Sequence, residues 1–183
     1  MSRLRFATAL ALFETFPPSV TKLAVTPTDK SPADFLKNLS AQEKFDDAVI
    51  FCAYLLPRRE AVWWACRSAR ALLGDIADNR AAGLLAAEKW VHEPDDVNRR
   101  TALAIGQEGD SNDPATWLAL GAGWAGGFLL SSPQKQIPMP QYMTPRAVRI
   151  AIFLGAIGLR APERTIRLKA CIAECIKLAE TGL

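Results

Sequence analysis

Helix start signals recur along the whole chain and constrain its fold more than any other feature. In three places a side chain that caps helices stands directly before a proline, at Ser31-Pro32, Asp113-Pro114 and Thr144-Pro145. Proline is favoured in the first helical turn, because the N–H group that it lacks would have no intrahelical partner there. A chain with this many independent starts is expected to consist of many short helices.

Three further signals extend the series. Ser40 and Glu43 have the spacing of a capping box, and Pro57 and Pro162 stand where a first helical turn fits. Between the signals, apolar residues recur at helical rather than alternating spacing. These patterns predict helices over residues 7–16, 32–38, 41–56, 57–74, 77–92, 95–106, 114–128, 145–159 and 162–180.

The same patterns predict the fold class. No run of residues alternates between apolar and polar with turn chemistry on both sides, so no strand is predicted. The helix at 41–56 is apolar nearly all round in its second half, which is typical of a central, enclosed helix. We therefore expect an all-α, single-domain bundle of about eight to nine helices with no significant sheet.

Two segments that contain proline interrupt the helices. Residues 1–30 are predicted to form an N-terminal helix and a connector that pack on the main helical domain, residues 31–183. Within that domain, the proline-rich segment 131–144 is predicted to be a loop. Loops of this length are often functional, and the alternative is a surface strap that only joins two helix ends.

Glycines recur in the helices predicted at 114–128 and 145–159. Each interior glycine costs about 1 kcal/mol relative to alanine, so repeated glycines indicate that backbones approach closely. No strand precedes them and no P-loop lysine follows, which argues against a phosphate-binding loop. We predict that these two helices pack together through Gly121, Gly123, Gly126, Gly127, Gly155 and Gly158.

Composition argues against several classes of function. The formal net charge is only +3, and lysine and arginine are spread along the chain, so nucleic-acid binding is not predicted. The apolar stretches Trp117–Leu130 and Ile150–Leu159 are shorter than the ~20 residues of a membrane span. Glu14 interrupts the apolar N-terminal run, so no secretion signal is predicted. Because the four cysteines lack disulfide spacing, we predict a cytoplasmic location.

The residues supply few parts for catalysis. The single histidine, His92, falls in the last turn of a predicted helix, where it complements the helix dipole. Cys171 and Cys175 lie one turn apart and could join Cys52 and Cys66 in a metal site, but they also continue an apolar stripe typical of core cysteines. We therefore predict no catalytic residue, no cofactor and no metal. The alternative is a small enzyme or metal-binding protein that uses His92 or the cysteines.

The segment Leu56–Cys66 has two features that simple helix packing does not explain. Arg58 and Arg59 stand in a first helical turn, where the macrodipole disfavours cations. Trp63 and Trp64 follow about 100° apart around the helix, so both cannot point along the middle of its buried stripe. At least one tryptophan is expected in the core, and the arginines either serve a partner or pair with carboxylates such as Asp46, Asp47 and Glu60.

Arginine and tryptophan are enriched at protein interfaces, which makes this helix start a candidate binding surface. We expect that surface to include the proline-rich loop as well. The predicted partner-binding residues are Arg58, Arg59, Trp63, Gln134, Lys135 and Gln136.

The segment Leu56–Cys66 also resembles a hallmark stretch of an uncharacterised proteobacterial all-helical family. The run Trp117–Gly127 and the helix start Thr144–Val148 are similar to that family too. The resemblance implies a cytoplasmic accessory or adaptor protein found with type VI secretion genes. We therefore predict a non-enzymatic protein that binds another protein, namely a type VI secretion component or cargo. A further hypothesis is self-association through the helices into a homo-oligomer.

Overall fold

The computed structural model describes residues 5–74, 78–131 and 135–182, and this part of the chain is predominantly helical. The all-α prediction is therefore confirmed. The helices are α1 (Ala9–Thr15), α2 (Pro18–Thr21), α3 (Pro32–Ala41), α4 (Phe45–Leu55), α5 (Arg58–Leu73), α6 (Asp78–His92), α7 (Asp96–Glu108), α8 (Pro114–Gly123), α9 (Met143–Ala156) and α10 (Ala161–Thr181). A two-stranded hairpin, β1 (Phe128–Ser131) and β2 (Gln136–Pro138), lies between α8 and α9.

Side-chain caps start several helices where the sequence predicts them. The Ser31 hydroxyl accepts a hydrogen bond from the Asp34 N–H at 3.2 Å, and Pro32 follows in the first turn of α3. Asp113 caps α8 in the same way, accepting from the Ala115 N–H at 2.9 Å. These caps are local, because donor and acceptor lie within three residues of each other, and for that reason the sequence predicts them well.

Two predicted caps are wrong. Ser40 does not begin a helix, because α3 continues through it and ends with Glu43 in the left-handed conformation at φ 58°. The N–H of Glu43 bonds to the Ser40 carbonyl and that of Lys44 to the Leu39 carbonyl, which is the hydrogen-bond pattern of a Schellman motif. Thr144 is also not a cap. The helix α9 begins one residue earlier, and the Thr144 hydroxyl donates to the Gly121 carbonyl at 3.0 Å.

The central helices are α4 and α5. The second half of α4 is buried on all sides, as predicted, and α4 packs against α3, α9 and α10. The helix α5 packs against α6, α8, α9 and α10. The N-terminal segment adds aromatic contacts to this core. The ring of Phe13 lies 6.1 Å from that of Phe35, and the ring of Phe16 lies 5.2 Å from that of Tyr54.

The region after α8 differs from the predicted long helix and loop. Helix α8 ends at Gly123 rather than near residue 128, and Gly127 takes a positive φ of 74°. The chain then forms the hairpin, which occupies part of the predicted loop 131–144. In the hairpin, Phe128 is opposite Pro138 and Leu130 is opposite Ile137, so Leu129 is the extra residue of a bulge.

Helices α8 and α9 pack against each other, as predicted, but without the close glycine-to-glycine backbone approach on which the prediction was based. A side chain at Gly121 would meet Val148 of α9 at 3.5 Å, which is ordinary contact. Other glycines in these helices lie against other parts of the structure. Gly123 faces Leu103 of α7, and Gly155 faces Leu72 of α5. Within the described residues, no helix combines the length and apolar character needed to cross a membrane.

Candidate functional site

Backbone carbonyl groups of neighbouring segments explain the two arginines at the start of α5. Arg58 donates from Nη1 to the Ala125 carbonyl at 2.7 Å and from Nη2 to the Met139 carbonyl at 3.4 Å. Arg59 donates from Nε to the Val91 carbonyl, in the last turn of α6, at 2.7 Å. A helix C-terminus carries partial negative charge, so it attracts a guanidinium. In the described chain, neither arginine forms an ion pair with the carboxylates proposed as partners, Asp46, Asp47 and Glu60.

The two adjacent tryptophans have different surroundings. Trp64 is fully buried, and its Nε1 donates to the Cys171 carbonyl at 2.8 Å, so the prediction of at least one core tryptophan is confirmed. Trp63 is half-buried. The Trp63 ring lies 5.4 Å from the ring of His92, which is exposed. The guanidinium of Arg67 lies 5.9 Å from the same Trp63 ring. Trp63 and His92 therefore form part of the surface where α5 meets the end of α6.

The predicted partner-binding set divides into two places. Arg58 contacts Met139, so it lies beside the segment that follows the hairpin, as the predicted surface requires. Arg59 and Trp63 lie at the end of α6 instead. Among the predicted loop residues, Lys135 and Gln136 are exposed, and Gln136 begins β2, whereas Gln134 lies outside the described residues.

Two arginines, Arg58 and Arg5, contact the segment that joins the hairpin to α9, and two more lie in the first half of α9. We call these four residues the arginine cluster: Arg5, Arg58, Arg146 and Arg149. Arg5 donates from Nη2 to the Gln141 side chain at 3.1 Å, and its guanidinium lies 5.0 Å from the ring of Phe6. Partial desolvation lowers the pKa of Arg5, and the positive charge of Arg58 lowers it further. Burial also lowers the pKa of Arg58. In both cases the largest cause is loss of hydration, which disfavours the charged form.

The other half of the cluster comes from α9. Arg149 donates to the Thr21 carbonyl at the end of α2, and Arg146 is exposed. Burial raises the pKa of the Tyr54 hydroxyl, and the charges of Arg149 and Arg146 oppose this rise. The Tyr54 ring contacts Phe16, whose ring lies 5.1 Å from the Arg5 guanidinium. Arg5 and Arg58 thus contact the segment 139–141, and Arg146 and Arg149 follow that segment in α9.

Most other arginines of the described chain pair with carboxylates, whereas the cluster, like Arg59 and Arg160, does not. No member of the cluster forms an ion pair with a described residue. Other arginines are paired with acidic side chains, namely Arg67, Arg70, Arg99, Arg100, Arg164 and Arg167. Each guanidinium has five N–H donors in a fork that fits a carboxylate, and the carbonyl contacts of Arg58 use only some of them. The cluster is chemically suited to bind an anion.

Sequence reasoning identified Arg58 and missed Arg5, Arg146 and Arg149. A signal for the α9 members is present in the sequence. Between Asp113 and Glu163 the chain contains no aspartate or glutamate, although it contains four basic residues: Lys135, Arg146, Arg149 and Arg160. Arginines in so long a stretch without acids have no local partner, so they remain available for another negative group.

Exposed apolar residues adjoin the cluster. Phe128 is 49% exposed and Leu129 is 58% exposed, so neither face of β1 is covered at these positions. The two carbonyls that Arg58 contacts lie on either side of the hairpin, and the Met139 N–H bonds to the Gly127 carbonyl at 3.0 Å at its base. The hairpin therefore stands directly beside Arg58.

The cysteines lie in the core. Cys52, Cys171 and Cys175 interact with one another, whereas Cys66 lies beside Glu88. Burial raises the pKa of Cys52, Cys66 and Cys171, which keeps these thiols protonated at neutral pH and makes them poor nucleophiles. In the described parts of the chain, no group of three or more histidine, cysteine, aspartate or glutamate residues is arranged to hold a metal ion.

Three surface clefts of the described residues are small. One lies between α5 and α10 and measures 180 Å³, and two others measure 210 Å³ each. Typical small-molecule pockets measure roughly 300–1,000 Å³. We therefore take the arginine cluster and the hairpin beside it, rather than one of these three clefts, as the candidate site.

Comparison with known proteins places most of the chain in one family model. Residues 35–179 match a model described as a family of unknown function, DUF6931. The matched range contains the hairpin and every member of the arginine cluster except Arg5. Neither the curated proteins nor the solved structures contain a match to the chain.

Proposed function

We propose that this chain, which belongs to the DUF6931 family of unknown function, binds another protein by holding an acidic segment of that partner at the arginine cluster. One observation carries the proposal: Arg5 and Arg58 contact the same segment, at Gln141 and Met139, and the four cluster arginines form no ion pair with a described residue, while six other arginines are paired. Charge-assisted hydrogen bonds from arginine to carboxylate are among the strongest polar contacts in proteins.

The contacts of the cluster support a preformed site. Arg58 and Arg149 are fixed by backbone carbonyls, and Arg5 is fixed by Gln141 and by two aromatic rings. A guanidinium that is already positioned loses less side-chain entropy when it binds a carboxylate. Arg146 is exposed, so it adds an accessible positive charge that attracts the partner during encounter.

The proposal also covers the class of partner and the cellular location. The resemblance of the Leu56–Cys66 segment to a family found with type VI secretion genes suggests that the partner is a secretion component or cargo. The protein would then act in the cytoplasm as a non-enzymatic adaptor, which agrees with four buried cysteines that form no disulfide.

A selection with random peptides tests the proposal without knowledge of the partner. A peptide display library is selected on the purified full-length chain at low salt. We expect the enriched peptides to contain a clear excess of aspartate and glutamate, because these residues supply the carboxylates that the cluster lacks. Enriched peptides without this excess, or no enrichment, would contradict the proposal.

A nucleic acid is the competing anionic partner. In the same buffer, labelled duplex DNA and single-stranded RNA are titrated with the chain. We expect both to bind more weakly than the enriched peptides, since the net charge of +3 is small. Tighter binding of either nucleic acid would show that the cluster serves phosphates rather than a protein.

A further inference from the structure

The hairpin beside the cluster has an unprotected strand. Natural proteins guard the edges of sheets with charged residues, prolines or very short strands. Strand β2 has three residues and includes Pro138, which lacks an N–H group. Strand β1 contains Phe128, Leu129, Leu130 and Ser131, with no charge and no proline. Both strands are edges of this two-stranded sheet, and β1 is the one that carries neither a charge nor a proline.

The bulge in β1 contributes to this exposure. Leu129 is the residue without a partner in β2, and such bulges commonly re-aim side chains at functional sites. In a regular strand, neighbouring side chains point to opposite faces, so one of the pair is usually buried. Here both Phe128 and Leu129 are about half exposed or more. Aromatic and aliphatic side chains of this kind form the energetic centre of many interfaces.

We infer that the hairpin is the apolar half of the same binding site, and that Phe128 and Leu129 receive an apolar side chain of the acidic partner segment. This inference rests on the proposed function and specifies the partner further. The partner segment would carry a large apolar residue close to its carboxylates, because Arg58 contacts the carbonyls on both sides of the hairpin.

Charge favours this occupant over a second copy of the chain. If two copies paired symmetrically through their hairpins, their Arg58 side chains would approach each other, since Arg58 lies at the base of the hairpin. Like charges brought together in this way oppose association. An acidic segment removes that repulsion and covers the apolar residues in one step.

The test repeats the peptide selection on a Phe128→Ser, Leu129→Ser variant, with Leu85→Ser as the matched control. Leu85 is 54% exposed on α6, so its replacement removes similar apolar surface elsewhere. We expect peptides from the wild type and from the control to share a large apolar residue near their acids. Peptides from the double variant are expected to keep the acids and lose that apolar residue.

A single variant provides a second test in case the double variant disrupts the hairpin. Leu129→Ser changes only the bulge residue, and we expect it to weaken binding of a wild-type-selected peptide about tenfold. An unchanged apolar preference in the double variant, together with unchanged affinity in Leu129→Ser, would overturn the inference. That result would leave the acidic preference intact, whereas failure of the proposed function would remove the acidic preference from the wild-type selection itself.

Discussion

The Arg5→Glu, Arg146→Glu double variant is expected to bind an enriched acidic peptide about a hundredfold more weakly than the wild-type chain. Each reversal replaces an attraction to the peptide carboxylates by a repulsion, and a tenfold loss for each corresponds to about 1.4 kcal/mol. Arg5 and Arg146 lie on different segments and share no hydrogen-bond partner, so we expect the two losses to add. Fluorescence anisotropy with the labelled peptide measures the dissociation constants.

The matched control for this prediction is Arg160→Glu. Arg160 is exposed, forms no ion pair in the described chain, and stands at the start of α10 outside the cluster. Its reversal changes the net charge as much as each of the two single reversals, Arg5→Glu or Arg146→Glu, but we expect it to change the affinity less than twofold. Equal losses for Arg146→Glu and Arg160→Glu would show that the peptide responds only to overall charge. Circular dichroism confirms that each variant keeps its helical content.

Replacement of Gly83 by alanine is expected to destabilise the fold by about 1–2 kcal/mol, although alanine is the better helix former. Gly83 lies in α6 against the start of α8. A Cβ atom added there would lie 2.3 Å from the carbonyl oxygen of Ala115 and 2.7 Å from its carbonyl carbon. Because these are backbone atoms, α6 and α8 must move apart to relieve the clash. Thermal unfolding should show a decrease of ~2–8 °C in the melting temperature.

Gly121→Ala is the matched control in a second helix of the same core. The nearest neighbours of the added Cβ are side-chain atoms at 3.5 to 3.7 Å, so the methyl group fits without displacement. We expect this variant to be as stable as the wild type or more stable by up to about 1 kcal/mol, as helix propensity dictates. If Gly83→Ala proved as stable as Gly121→Ala, the close approach of α6 and α8 would be incorrect.

Local signals account for what the sequence predicted well about the fold. Ser31 and Asp113 cap their helices through bonds to residues two or three positions away, so their chemistry is visible in a short window. The two failures have different causes. At Ser40, α3 continues and ends in a local Schellman motif, which competes with the predicted cap. At Thr144, the hydroxyl donates to a carbonyl on another helix, a tertiary contact that a short window does not contain.

The candidate site was also predictable only in part. The cations at the start of α5 were recognisable as an anomaly, because the macrodipole disfavours them there. Their partners were not predictable from the sequence, because Arg58 bonds to carbonyls that lie 67 and 81 positions away. The hairpin was missed for a related reason. A bulge interrupts its alternation, so β1 shows no period of two in its apolar residues.

The position of the acidic segment is the central claim, and arginine side-chain NMR tests it most directly. An enriched acidic peptide is titrated into the labelled full-length chain while the arginine Nε–H signals are followed. We predict that the signals of Arg5, Arg58, Arg146 and Arg149 shift together as the peptide binds, whereas those of Arg164 and Arg167, which already pair with Asp46 and Glu163, stay in place. Shifts confined to Arg164 and Arg167, or binding without any shift in the cluster, would contradict the account.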